Sequence, residues 1–413
     1  MNVSIKWPQQ QPSKNVAVME GSMAIARAVR DARPGVIPAY PITPQTHIVE
    51  FLAEMAAKGE LDAEYIRVDS EFSAASVLFG ASAAGVRAYT ASASQGLALM
   101  TEVIFSLAGS RLPVVLTGCN RQLSSPISLQ PDHQDTMLLR DSGIIELYVE
   151  SSQEAYDTHL QAFKIAEHPN VMLPIIVCVD GYILTHVFEP VGTLTQEQID
   201  AFLPPYQPRE YLTPENPITY GAYTDDQTAL EVHYMTHQAS VRARDVIESV
   251  AREYEGLFGL YHGGLIDTYR LDDAEIALVA MGSMVSTLRE AVDRLRLRGQ
   301  RVGLVKIRSY RPFPTQALRD AVADIPAIVV LDKALSRGFQ GVLSTDVKAA
   351  LYNAPHRPLA LSMMAGYGGR EMTLDTVDEI VARAYKAIEQ GGVEDECVFL
   401  NLREEILPEG VIA

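Results

Sequence analysis

The sequence is poor in cysteine. Cys119, Cys178 and Cys397 lie far apart in 413 residues, and none belongs to a C-x-x-C pair. That spacing argues against a disulfide framework, and against an iron–sulfur or structural zinc site ligated by this chain alone. Cys119 and Cys178 sit in apolar runs, where a buried free thiol is expected. No run approaches the ~20 apolar residues needed to cross a bilayer. The N-terminal stretch MNVSIKWPQQQPSKN has no apolar core, so no secretory signal is expected. Basic residues are scarce: 34 Lys and Arg stand against 52 Asp and Glu, a net charge of −18. Such a surface repels phosphate backbones and argues against a nucleic-acid partner. A small anionic substrate stays compatible, because a pocket can carry one local arginine. A cytoplasmic protein in a reducing compartment, with no membrane contact, is expected.

Several familiar motifs are missing as well. GASAAG (80–85) lacks the Lys-Ser/Thr ending of a phosphate loop, and no strand is followed by G-x-G-x-x-G. There is no G-x-S-x-G elbow for a serine hydrolase. DHQD (132–135) holds possible metal ligands but has no second cluster at ligand spacing. A hydrogen-bonded loop is expected there, and no metal site.

What is present is a soluble globular composition, 47% hydrophobic and 21% charged. The length calls for two domains. Short β-rich runs alternate with helical patterns: GVIPAY (35–40), AEYIRVD (63–69), RAYTAS (87–92), PVVLTG (113–118) and MLPIIVCVD (172–180). Helical patterns occupy 45–58, 70–85 and 95–109 between the first four. This alternation predicts an α/β fold with a parallel sheet covered on both faces. From Glu189 to Asn216 prolines break the pattern, which predicts an extended surface connector, followed by a helix at about 229–256. The alternation then resumes at 274–283, 301–310 and 327–334, a second and smaller α/β domain.

Ligands of an open parallel sheet bind beyond the carboxyl ends of its strands. Polar residues fall at four such ends: Thr43, Glu71, Ser94 with Gln95, and Asn120 with Arg121. A hydroxyl, a carboxylate, amides and a guanidinium at successive strand ends suggest a constructed site. Each also has a plainer reading. Glu71 suits the first turn of any helix. Ser94 suits an N-cap, and so does Thr43, with Pro44 as the first helical residue. Arg121 suits a solvated loop.

The motifs YPITP (40–44), SEFSA (70–74), SASQGLALM (92–100), NR (120–121), DHQDTMLLRDSG (132–143) and VDGYILTH (179–186) resemble, in order, the α subunits of 2-oxoacid:ferredoxin oxidoreductases. The pyruvate enzymes are the nearest match. VAMGSMVSTLREAV (279–292), GLVKIRSYRPFP (303–314), VVLDKALSRG (329–338) and GYGGRE (366–371) resemble that family's second domain. The resemblance covers about 15–390. It implies a flexible N-terminus (1–15), a thiamine diphosphate pyrimidine-binding domain (16–188), and the Pro-rich connector and helix (189–256). A transketolase-C-terminal-like domain (257–390) and a C-terminal tail (391–413) would follow.

The resemblance also implies a cofactor shared between chains. The partner β subunit would bind the diphosphate and Mg2+, and this chain has no G-D-G motif for that task. Iron–sulfur clusters would lie on partner subunits, with γ and δ types present. Ferredoxin or another carrier would accept electrons, and coenzyme A would accept the acyl group.

By the same resemblance, Glu71 hydrogen-bonds the pyrimidine nitrogen. A carboxylate there favours the imino tautomer, which takes the thiazolium proton. Arg121 faces the substrate carboxylate, as a guanidinium fork suits. Thr43 offers its hydroxyl to the substrate. Pro41, Ser94, Gln95 and Asn120 belong to the cofactor side, and Ile42 and Phe72 to the substrate pocket. Phe72 stands where many pyruvate enzymes have His. It leaves branched or aromatic 2-oxo acids, such as phenylglyoxylate, open beside pyruvate. Two further alternatives are a thiamine-dependent decarboxylase without electron transfer and a non-catalytic binding protein.

Overall fold

A computed structural model describes residues 15–408 and 410. The expected flexible N-terminus lies outside these residues except for Asn15, which opens the first strand. The first half runs β1 (Asn15–Glu20), α1 (Gly21–Ala32), β2 (Val36–Ala39), α2 (Thr46–Ala57), β3 (Glu64–Arg67), α3 (Glu71–Ala83) and β4 (Tyr89–Ser92). It continues with α4 (Ser94–Gly109), β5 (Val115–Asn120), α5 (Gln134–Met137), β6 (Ile145–Tyr148), α6 (Ser152–Ala166), β7 (Ile175–Asp180), β8 (Phe188–Thr193) and α7 (Gln196–Phe202). The 30-residue α8 (Ala229–Phe258) leads into the second half.

That half runs β9 (Ile266–Tyr269), β10 (Ile276–Ala280), α9 (Met284–Leu297), β11 (Val302–Ile307), β12 (Ser309–Arg311), α10 (Thr315–Ala321) and β13 (Ala327–Asp332). Then come α11 (Val342–Leu351), β14 (Leu359–Met364), α12 (Leu374–Gln390) and β15 (Val398–Phe399).

The first sheet has the order β12-β6-β7-β5-β4, and a single bridge from Val36 to Ala88 extends it toward the pair β2-β3. All its pairings are parallel except that of β12 with β6. Its central strands β5 and β7 are buried along their whole length, as a sheet covered on both faces requires. The second sheet has the order β15-β14-β13-β10-β11-β9, parallel except at β9. The α/β expectation holds in both halves.

Two features depart from the sequence reading. The connector is not extended throughout: β8 pairs antiparallel with β1, and α7 buries Ile199 and Phe202 completely. Pro190 is tolerated in β8 because a two-stranded ribbon has free edges. The run 301–310 is also not one strand. It breaks after Ile307, and β12 crosses over to pair with β6 of the first sheet, fastening the two halves together.

Candidate active site

The turn before α2 is fixed from inside. Gln45 is fully buried and donates its side-chain amide to the carbonyl of Ala91 in β4 (2.7 Å). Its carbonyl oxygen accepts the amide N–H of Ile42 (3.2 Å). This tertiary anchor places the helix start at Thr46. Thr43 is therefore not an N-cap and Pro44 is not the first helical residue, which corrects that reading. Thr43 and Ile42 are half-buried and Pro41 is exposed, all in the turn.

Glu71 is the first residue of α3, after Ser70, whose hydroxyl caps the helix by accepting the Ser73 N–H. The Glu71 side chain is 8% exposed, and among the described residues its carboxylate has no hydrogen-bond partner. It lies against Gly96 in the first turn of α4. A Cβ at Gly96 would sit 2.7 Å from Glu71 Oε1 and 2.4 Å from Ser92 Oγ, so any larger residue there would push these two side chains from their places. Ser92 Oγ is buried and has no partner among the described residues.

Arg121 is 6% exposed and not a solvated loop residue. It donates from one terminal nitrogen to the Thr43 carbonyl (2.6 Å) and from the other to Gln95 Oε1 (2.5 Å). Its Nε is buried and unpartnered among the described residues. Burial pushes the guanidinium below its ordinary pKa, while Asp135, Tyr182 and Glu71 pull it back. It remains a cation. One side chain thus spans the Thr43 turn and the α4 start and still has N–H groups to offer.

Ser94 is the first residue of α4, after Ala93, so it does not cap the helix by its side chain. Its φ of 49° is left-handed, a strained conformation of the kind that gathers at functional turns. Its hydroxyl donates to the carbonyl of Gln122 (2.7 Å).

The residue that holds these parts in register is Asp135, which the sequence reading assigned only to a hydrogen-bonded loop. Its two oxygens accept the N–H groups of Ser94 (2.8 Å), Arg121 (3.0 Å) and Thr136 (2.9 Å), and the Asn120 amide (2.9 Å). Burial raises its pKa, and these donors work against the rise. Asn120 is therefore turned inward to Asp135 and Thr136, with its Oδ1 unpartnered. Phe72 is 39% exposed at the surface of α3.

A second polar cluster joins the two halves. Asp180, at the end of β7, meets His133 (3.1 Å), Lys333 (3.0 Å) and the N–H of Ser283 (2.6 Å). Burial opposes its ionisation, but Lys333 and His133 outweigh it and hold the carboxyl well below the usual range. Asp132 behaves oppositely: burial, with the Asp135 and Asp180 carboxylates nearby, raises it to about 7. The folded pKa lies above the unfolded value, so between about pH 4 and pH 7 the native state keeps a proton that the unfolded chain loses. Stability falls as pH rises through that window. Asp132→Asn mimics the protonated form. In urea titrations it is expected to exceed wild type by up to about 4 kcal/mol at pH 8, with the gap narrowing as pH falls and closing only below about pH 4.

A family model described as pyruvate flavodoxin/ferredoxin oxidoreductase, thiamine diphosphate-binding, matches residues 27–252. A second, pyruvate:ferredoxin oxidoreductase core domain II, matches residues 274–377. The chain belongs to the pyruvate:ferredoxin oxidoreductase family. It is 47% identical to pyruvate synthase subunit PorA of Methanosarcina barkeri, over 95% of this chain and 98% of that one. It is 41% identical to ketoisovalerate oxidoreductase subunit VorA of Pyrococcus horikoshii, over 94% and 98%. These family members are subunits of 2-oxoacid oxidoreductases.

In fold, the chain superposes on 2-oxoglutarate:ferredoxin oxidoreductase from Magnetococcus marinus with a TM-score of 0.69 at 18% identity, covering 91% of this chain and 66% of that longer one. It also superposes on a split-gene transketolase, inactive β4 tetramer, at 0.54 and 13% identity, covering 90% and 99%. No described helix is long and apolar enough to cross a membrane.

The residues present fit the family's cofactor. Among the described residues, the Glu71 carboxylate, the buried Ser92 hydroxyl and the buried Arg121 Nε have no hydrogen-bond partner, and a polar ligand would satisfy them.

Proposed function

We propose that this chain is the α subunit of a coenzyme A-acylating pyruvate:ferredoxin oxidoreductase assembly. Thiamine diphosphate, when bound, supplies the nucleophilic carbon that attacks the 2-oxo acid. This chain's part is to hold a proton acceptor, Glu71, and a carboxylate-binding cation, Arg121, on one crevice. Thr43 sits in the turn that Arg121 fastens, so its hydroxyl is set by the same contact that orients the guanidinium. Gln95 is the other anchor of that guanidinium, and Ser94 and Asn120 support the frame through Asp135. The β subunit would bring the diphosphate and Mg2+, γ and δ type subunits the iron–sulfur path, and ferredoxin the final acceptor.

The observation that carries the reading is the Glu71 carboxylate: nearly buried, without a hydrogen-bond partner among the described residues, and in the electrostatic range of Arg121. A branched-chain substrate is the second reading, favoured by the 41% identity to the ketoisovalerate subunit. The test is a panel of pyruvate, 2-oxoisovalerate, phenylglyoxylate and 2-oxoglutarate, run on the co-purified complex with coenzyme A and a one-electron dye. Pyruvate is expected to give the highest kcat/KM. A higher value for 2-oxoisovalerate would install the second reading, and no coenzyme A-dependent dye reduction with any acid would reject both.

A further inference from the structure

Three side chains that are not among the crevice residues meet at the start of α2. Glu20 ends β1, His47 lies in the first turn of α2, and His186 follows β7 in the loop before β8. One donor atom from each falls within 4.8 Å of the others. His47 Nδ1 stands 2.6 Å from Glu20 Oε1. The rings of His47 and His186 are 4.6 Å apart between centroids, tilted by 36°. The three residues are part-buried.

The chain takes trouble to bring these segments together. The Gly21 N–H donates to the Val187 carbonyl (3.0 Å) and the Ser22 N–H to the Thr185 carbonyl (2.9 Å). These bonds tie the two residues after Glu20 to the residues on either side of His186. A Cβ at Gly21 would lie 1.8 Å from the Leu184 carbonyl oxygen, so this backbone approach requires glycine. His186 Nδ1 meets the hydroxyl of fully buried Thr185 (2.7 Å), which fixes the ring and leaves Nε2 as its free nitrogen. That is the second contact a metal-binding imidazole ordinarily has.

We propose that Glu20, His47 and His186 bind one borderline divalent transition-metal ion, of the Zn2+, Co2+ or Ni2+ kind. Two imidazoles and one carboxylate select such ions over Mg2+ and Ca2+, which prefer all-oxygen sets. Three protein ligands leave a position open to water. Ligands bonded at about 2.0–2.1 Å stand roughly 3 Å apart around a metal. The His47–Glu20 pair must therefore open slightly as the ion replaces the shared proton. The ion would clamp the first turn of α2 to the β1 and β7 ends. Since the Tyr40–Gln45 turn leads directly into α2, the clamp would also steady the segment that carries Thr43. Neither the cofactor nor a partner chain is needed for binding.

The test is isothermal titration of the chelator-stripped, full-length chain with Zn2+. His233 and His237 lie exposed four residues apart on α8 and form a competing pair, so the titration uses a His233→Gln/His237→Gln background. One ion per chain is expected, with a dissociation constant of about 10 μM or below. His47→Gln and His186→Gln should each weaken it by at least about tenfold, and Mg2+ should give no saturable heat. The His47 side chain is 42% exposed, so His47→Gln keeps the fold and carries the test if His186→Gln does not. As a second reading of the same event, Zn2+ should raise the Tm of the background protein and not that of its His47→Gln variant. No saturable binding in the background protein, or binding unchanged by His47→Gln, would overturn the site.

Discussion

Glu71→Gln is expected to lower turnover of the assembled enzyme by about 10²–10⁴-fold, with KM for the 2-oxo acid little changed. Gln keeps the shape and a hydrogen-bonding group but removes the carboxylate's affinity for a proton. The structure gives Glu71 little other work. Its carboxylate has no partner among the described residues, and Ser70 already caps α3. Thermal stability should therefore hold while rate collapses. If the variant turns over within a few-fold of wild type, the proton-acceptor role is wrong.

Arg121→Ala is expected to act on binding first. Truncating one partner of a buried, charge-assisted pair costs about 2–5 kcal/mol, or roughly 30- to 4,000-fold in kcat/KM, most of it in KM. Part of that loss is indirect, because Arg121 also holds the Thr43 carbonyl and Gln95. Arg121→Lys separates the two contributions. It keeps a positive charge but cannot span both anchors, so it should recover part of the loss and leave the Thr43 turn loose. Equal defects in Lys and Ala variants would assign the whole effect to geometry. Wild-type kinetics in Arg121→Ala would remove Arg121 from the substrate site.

The strand-end residues were legible because they need only local signals. Alternating β-rich and helical runs locate strand ends, and Thr43, Glu71, Ser94 and Arg121 follow four of them. Their company was not legible. Asp135 reads as one more acidic residue in a loop, and only the fold shows it gathering N–H groups from Ser94, Arg121, Asn120 and Thr136. Gln45 carries no signal in sequence either, yet its bond to Ala91 moves the α2 start past Pro44. A Thr-Pro pair before a helical pattern looks like a cap and first residue in any chain; a tertiary bond decided otherwise.

The same limit hid the crossing of β12, since a run such as RVGLVKIRSY (301–310) does not say which sheet its end joins. It also hid the Glu20, His47 and His186 cluster, whose members are separated by long stretches of chain and share no motif. The family-level resemblance pointed to the crevice residues and was silent on this cluster.

The most direct test of the account is the rate of deuterium exchange at the thiazolium C2 of thiamine diphosphate bound to the co-purified complex, measured by quenched-flow NMR. Glu71→Gln is expected to retain the cofactor and the partner chains but to slow exchange by at least about a hundredfold. Exchange as fast in Glu71→Gln as in wild type would contradict it, because the proton would then be leaving without the carboxylate that this chain brings to the site.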